Sequence, residues 1–332
     1  MNTAPTTVPS TNTTPMHLIL GDGVIGQAVA DELTRLRVPH ALASRSPAAH
    51  PSPHRRVDAL DRRALIAATA GVTHLYVTLG LRYDLRTWQR DWPVVIENVI
   101  AAARVQRLRV VFFDNVYPYG PAPLRVPMTE EHPQEPPSRK GVVRKAIDER
   151  LLRAARDEGV DLVIGRSADF YGPGVRNSML YAAAIERQLA GKAAQWIGSP
   201  DRLHTYTCTI DAARGLVRLA MDAGAHGVWH LPTAEPAPTT RALLEQSARL
   251  LGAPATIRTM PRPMVTLLGL FMPILRDVRE MLYQNDSDYV FSSAKFMRRY
   301  PDFEITPYAR GIEAMVASLR AAPAAAGAPH VA

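Results

Sequence analysis

The chain of 332 residues lacks most of the features that mark secreted, membrane or nucleic-acid-binding proteins. Its single cysteine, Cys208, excludes an internal disulfide framework and favours a reducing cytoplasm. The longest apolar run, residues 264–275, is too short to span a bilayer and contains a proline, so we expect no membrane contact. The net charge of +8 comes from scattered arginines without a dense basic stripe, so we expect no nucleic-acid partner.

Both ends of the chain have little that could build a core. Residues 1–15 are almost entirely Thr, Pro, Asn, Ser and Ala, without the apolar centre of a signal peptide, and predict a disordered leader. Residues 321–332 are rich in Ala and Pro and predict a disordered tail. The whole chain is 47% hydrophobic and 21% charged, a composition typical of a soluble globular protein.

The strongest motif is a glycine-rich turn between a predicted strand, 17–20, and a predicted helix, 27–36. In this context the first glycine permits a tight turn, the second lets the backbone approach a pyrophosphate, and the third lets the helix pack on the strand. The helix N-terminus offers N–H groups to the phosphates. The turn therefore predicts a dinucleotide site formed by Gly21, Asp22, Gly23, Val24, Ile25 and Gly26.

Strands and helices alternate after this turn, which predicts an α/β fold with a Rossmann-type, doubly wound parallel sheet. We assign residues 16–170 to this dinucleotide-binding domain. The alternation loosens over residues 171–320, where we expect a smaller, mostly helical substrate cap. Within that region, residues 204–231 are predicted to complete the Rossmann domain, with Asp211 capping a helix over 212–222.

The end of the predicted second strand has no acidic residue to hold a ribose 2′-hydroxyl. It carries Ser44 and Arg45 instead, and a guanidinium there suits a 2′-phosphate, so the sequence favours NADP(H) over NAD(H). The alternative is a solvated loop arginine. We expect Asp58 to reach the adenine amino group, and Leu79 with Gly80 to lie against the nicotinamide side.

Further motifs follow the glycine turn in order: Tyr119-Gly120-Pro121, a lysine-bearing helix from residue 140, Tyr171-Gly172-Pro173-Gly174, and Asp211. Over residues 16–320 this order resembles the NAD-dependent epimerase/dehydratase family, the extended short-chain dehydrogenase/reductases. The resemblance implies hydride transfer on a small carbonyl or hydroxyl substrate, sugar nucleotides included. The resemblance is also compatible with a homodimer.

The resemblance also implies a working set of a Ser or Thr after the fifth strand and a Tyr-x-x-x-Lys on the next helix. The first position falls on Asn115. The second falls on Gly141 and Lys145, where Lys145 would hold the nicotinamide ribose, or in a shifted register on Lys140 and Arg144. Neither register contains the tyrosine that exchanges a proton with the substrate.

Three hypotheses follow from the missing tyrosine. Another phenol replaces it, Tyr117 or Tyr119 on the adjacent loop or Tyr171 or Tyr283 from the cap. Alternatively, Lys140 or Lys145 acts directly. In the third, the protein is a non-catalytic NADP(H)-binding regulator or scaffold. His204 lies in a polar loop at the expected substrate entrance, and no cluster of residues has metal-ligand spacing, so we expect no metal.

Overall fold

The computed structural model describes residues 16–46, 50–260, 264 and 279–321. The predicted leader, nearly all of the predicted tail and most of the apolar run 264–275 lie outside these residues.

A seven-stranded sheet forms the centre of the molecule, with the order β3-β2-β1-β4-β5-β6-β10 and parallel pairing throughout. This is the predicted doubly wound Rossmann arrangement, and the fold class is confirmed. The strands are β1 His17–Leu20, β2 His40–Ser44, β3 His54–Arg56, β4 His74–Val77, β5 Arg109–Asn115, β6 Asp161–Ser167 and β10 Gly227–His230.

Among the described residues, helices cover both faces of this sheet, and four helices begin at a side-chain cap. Asp61 caps α2, and Asp84, Ser138 and Thr239 cap α3, α4 and α7, each by accepting a backbone N–H from the residue three positions on. One face packs on α2, α3 and α4, and the other packs on α1 and α6. The helices are α1 Val24–Arg35, α2 Arg62–Ala68, α3 Leu85–Gln106, α4 Arg139–Asp157, α5 Glu186–Leu189, α6 Thr209–Met221, α7 Thr240–Leu251, α8 Ala294–Arg299 and α9 Tyr308–Ala321.

A second apolar core lies outside the main sheet. It joins α7 and α9 to a π-helical turn, Tyr181–Ile185, and to two small parallel strand pairs. A short 3₁₀ helix, Leu282–Asn285, follows in the chain. The remaining strands are β7 Asp169–Tyr171, β8 Ala194–Ile197, β9 Tyr206–Cys208 and β11 Ile257–Met260.

The segment 204–231 only partly completes the sheet. Strand β10 adds to β6 as predicted, with Val228 opposite Ile164. Strand β9 instead pairs with β7, because the chain leaves the main sheet after Ser167. The predicted cap at Asp211 is wrong. α6 begins at Thr209, so Asp211 lies in its first turn, where it accepts hydrogen bonds from Thr306 N and Oγ1 at 2.7 and 2.9 Å.

Candidate active site

The glycine turn has the geometry that a bound pyrophosphate requires. Gly21 has φ +116°, and a Cβ there would lie 2.5 Å from Leu79 N. A Cβ on Gly26 would overlap the carbonyl of Gly21. At Gly23, by contrast, no described atom lies within 4 Å of the Cβ position. Two glycines are therefore needed for packing, and the middle one leaves open space at the backbone.

The N-terminus of α1 opens onto that space. Gly23 is the N-cap residue, and within the described part of the chain no side chain caps this helix. The first N–H groups and the positive end of the helix dipole are therefore available to an anion. The residues present fit a dinucleotide.

Among the residues predicted to hold the adenosine, Ser44 contacts the glycine turn. Ser44 Oγ, at the end of β2, donates to Asp22 Oδ2 at 2.9 Å and lies 2.8 Å from His54 Nε2. Arg45 follows and is exposed. The carboxylate of Asp58 accepts the N–H of Leu60 at 3.0 Å and so shapes the loop after β3. Leu79 and Gly80 come directly after β4, next to the first glycine.

At the end of β5, Asn115 and Tyr117 form a small turn in which Asn115 Oδ1 accepts the N–H of Tyr117 at 3.0 Å. The Tyr117 hydroxyl lies 3.2 Å from the hydroxyl of Tyr83, and its ring stacks on Trp88. Burial, reinforced by Tyr83 and Asp169, raises the pKa of Tyr117 well above its usual value. This phenol keeps its proton at neutral pH.

Tyr119, the second loop phenol, is fully buried in the core. Its hydroxyl donates to His230 Nε2 at 2.6 Å, and His230 Nδ1 donates to the carbonyl of Ser292 at 2.8 Å. The guanidinium of Arg166 lies over the Tyr119 ring at 4.6 Å. These contacts support a structural role for Tyr119, and they leave Tyr117 as the more accessible of the two predicted phenols.

Of the two helix registers, α4 turns Lys140 and Arg144 inward. Lys140 is 0% exposed, with Nζ 3.1 Å from Glu280 Oε1 and 4.5 Å from the centre of the Tyr83 ring. The side chain of Lys145 is 37% exposed and lies 3.8 Å from Glu149 on the same helix. Lys145 therefore lies outside the inward-facing register, and its contact with the nicotinamide ribose stays a prediction.

Arg144 belongs to a buried network that sequence reasoning missed. Its guanidinium binds Asp114 Oδ1, and Arg166 Nε donates to Asp114 Oδ2 at 2.8 Å. Arg166 also pairs with Asp148. The two arginines hold the pKa of Asp114 below its usual range, whereas burial raises that of Asp148. The network lies between β5, β6 and α4. Arg144 is therefore bound to the buried carboxylate of Asp114.

A second polar pair follows β6. His204 Nε2 lies 3.0 Å from Asp169 Oδ2, and its ring stacks on Tyr289 with centroids 4.4 Å apart. His204 is buried, and the side chain of Asp169 is 34% exposed. The sequence predicts His204 at the substrate entrance and gives no prediction for Asp169. Asp169 is the first polar residue after β6, and this position is the sequence feature that could have identified it.

Across the described residues, no group of three or more His, Cys, Asp or Glu side chains could hold a metal ion. The same part of the chain contains no helix long and apolar enough to cross a membrane. Cys208 is a buried, free cysteine whose pKa burial raises to about 11. A thiol of this kind is a poor nucleophile.

The fold and the glycine turn define a dinucleotide-binding α/β protein. Residues 17–230 match the model of the NAD-dependent epimerase/dehydratase family, and the chain belongs to that family. The predicted family is thus confirmed.

Two characterised relatives and one solved structure show what the chain is similar to. It is 27% identical to dTDP-6-deoxy-L-talose 4-dehydrogenase (NAD(P)(+)) of Kitasatospora kifunensis, over 77% of this chain and 85% of that protein. It is 31% identical to 3-diazoavenalumate denitrifying reductase of a Streptomyces species, over 65% and 73%. UDP-glucose 4-epimerase of Thermus thermophilus in complex with NAD aligns over 93% of this chain and 100% of its own, with TM-score 0.73 and 19% identity.

Proposed function

We propose that the protein is an NAD(P)-dependent oxidoreductase or epimerase/dehydratase-like enzyme. It transfers hydride to or from a small carbonyl or hydroxyl substrate, with NADP(H) preferred and sugar nucleotides among the candidates. The observation that carries this proposal is the glycine turn, where Gly21 and Gly26 are packed and Gly23 faces open space. The relatives named above, a dehydrogenase and a reductase, support the reaction class.

A bound nicotinamide dinucleotide would supply or accept the hydride. The backbone at Gly23 and the N-terminus of α1 would hold its pyrophosphate, and the exposed guanidinium of Arg45 supports a contact to a 2′-phosphate. Leu79 and Gly80 would line the nicotinamide side. The buried, unpaired cysteine supports a cytoplasmic location.

Two groups at the end of β5 are suited to the substrate oxygen. The phenol of Tyr117 stays protonated and can donate a hydrogen bond to it. Nδ2 of Asn115 is a second donor, because Oδ1 of the same amide already accepts the N–H of Tyr117. The carboxylate of Asp169, held by His204, is near enough to Tyr117 to raise its pKa and can orient substrate hydroxyls.

One observation favours a second candidate, a non-catalytic NADP(H)-binding regulator. In the inward register, Lys140 takes the place of the missing tyrosine, and it is buried against Glu280. An ammonium group held in this way is a poor substitute for a phenol.

An assay of NADPH oxidation distinguishes the two candidate functions. The rate of oxidation is measured at saturating NADPH with sugar nucleotides, aldehydes, ketones and imines as substrates. We expect oxidation with at least one class of substrate. Tight NADPH binding without oxidation on any member of the panel would favour the regulator, and failure to bind either NADPH or NADH would contradict both.

A further inference from the structure

We propose that the side chain of Asp22 is a cofactor-selecting group that opposes Arg45. This inference rests on the proposed function. The Asp22 carboxylate accepts a hydrogen bond from the free ribose 2′-hydroxyl of NAD(H) and repels the 2′-phosphate of NADP(H). The opposed charges let the chain bind both cofactors, with only a moderate preference for the phosphorylated one.

The glycine turn fixes where Asp22 can lie. The left-handed φ of Gly21 and its close approach to Leu79 set the backbone before it, and the open space at Gly23 lies after it. The backbone carbonyl of Asp22 also accepts from Gln27 Nε2 at 2.8 Å, which ties the residue to the first turn of α1. Asp22 is therefore held between the predicted pyrophosphate position and the neighbouring strand.

The carboxylate of Asp22 extends to the end of that strand. Ser44, the last residue of β2, donates its hydroxyl to Asp22 Oδ2 at 2.9 Å. The carboxyl end of this strand is where an acidic residue holds the ribose hydroxyls in dinucleotide-binding folds. The sequence has no acid on β2, but the turn after β1 brings one to the same place.

Asp22 and Arg45 then favour different cofactors at one position. Asp22 is partly exposed, so its carboxylate can reach a ligand, and Arg45 follows Ser44 directly and is exposed. A carboxylate accepts hydrogen bonds from a hydroxyl but repels a phosphate, whereas a guanidinium attracts the phosphate and gains little from the hydroxyl.

The test is a set of four proteins, namely the wild type, Asp22→Asn, Arg45→Gln and the double variant, each titrated calorimetrically with NADH and with NADPH. Asparagine retains the shape of Asp22 and an oxygen for Ser44, but removes the charge. We expect Asp22→Asn to bind NADPH about tenfold more tightly and NADH about tenfold more weakly. Arg45→Gln should weaken NADPH about tenfold and leave NADH nearly unchanged.

Asp61→Asn is the matched control, because it removes the same charge at the cap of α2, where asparagine also caps. Its ratio of NADH to NADPH affinity should equal that of the wild type. If the wild type binds both cofactors and Asp22→Asn leaves the ratio unchanged, the inference is overturned while the proposed function stands. If the wild type binds neither cofactor, the proposed function and the inference both fail.

Discussion

The candidate active site has a cofactor end, the glycine turn Gly21–Gly26, and a substrate end, where β5 ends beside α4. The two ends differ in how closely their residues match the family's motifs. At the cofactor end, Gly21 and Gly26 occupy positions that no larger residue can fill without displacing backbone. At the substrate end, the tyrosine is missing, and Lys140 and Arg144 are engaged by Glu280 and Asp114. The packed glycines of the turn cannot be replaced by larger residues, whereas a proton donor can be supplied by another side chain. The sequence of the substrate end can therefore change more than that of the cofactor end.

The largest effect should come from breaking the buried network. Arg166→Met removes the guanidinium that binds both Asp114 and Asp148 in the core, and leaves Arg144 as the arginine partner of Asp114. We expect a loss of about 3–5 kcal/mol in the free energy of unfolding, measured by urea titration. Arg156→Met, at an exposed ion pair with Asp157 of α4, should leave the free energy of unfolding nearly unchanged. Equal losses in the two variants would show that the network does not stabilise this end.

The next effect concerns the phenols. If the enzyme turns over, Tyr117→Phe should lower kcat about 100-fold with unchanged NADPH affinity, because it removes the phenol that can donate to the substrate oxygen. Tyr119→Phe loses the hydrogen bond to the buried His230. It should retain kcat and lose about 1–2 kcal/mol of stability. If Tyr117→Phe and the wild type have equal kcat, the group that exchanges a proton with the substrate is Asp169, a lysine or water.

Below the substrate end, His230 should make stability depend on pH. Burial lowers the pKa of His230 to about 3, so the folded state keeps it neutral while the unfolded chain takes a proton below about pH 6.5. Stability therefore falls as the pH falls from 6.5 towards 3, by up to about 1.4 kcal/mol per pH unit.

Urea titrations at pH 6 and pH 5 measure this slope in the wild type and in His230→Gln. The variant should lose the contribution of His230 and keep that of His17, whose pKa burial also lowers to about 3. A slope identical to that of the wild type would mean that His230 is not held neutral.

The smallest effect is expected at Lys145. The exposed ammonium group pairs only weakly with Glu149, so Lys145→Ala should change stability by less than about 0.5 kcal/mol and NADPH affinity by less than about twofold. Calorimetry and urea titration measure both quantities. A tenfold loss of NADPH affinity would restore the lysine role that the family resemblance implies and would contradict the inward register of α4.

The sequence was sufficient to predict the turn after β1 and the parallel sheet, because both follow from local patterns of glycine and apolar residues. It could not decide between the registers of α4, since each places one basic residue at the lysine position. The buried network was also missed, because Asp114 and Arg166 are opposite each other only once β5 and β6 pair. Asp22 reaches the end of β2 for the same reason, through pairing of strands that are distant in sequence.

The central claim, that Gly21–Gly26 form the NAD(P)(H) cradle, is tested most directly by calorimetric titration of NADPH into the wild type and Gly23→Val. Gly23 has φ −71° and open space at its Cβ position, so the valine variant should still fold, with only the small loss of stability that valine brings as an N-cap residue. The side chain would fill the position of the pyrophosphate, and the account predicts at least a 100-fold increase in Kd, or about 3 kcal/mol. A folded Gly23→Val that binds NADPH as tightly as the wild type would contradict it.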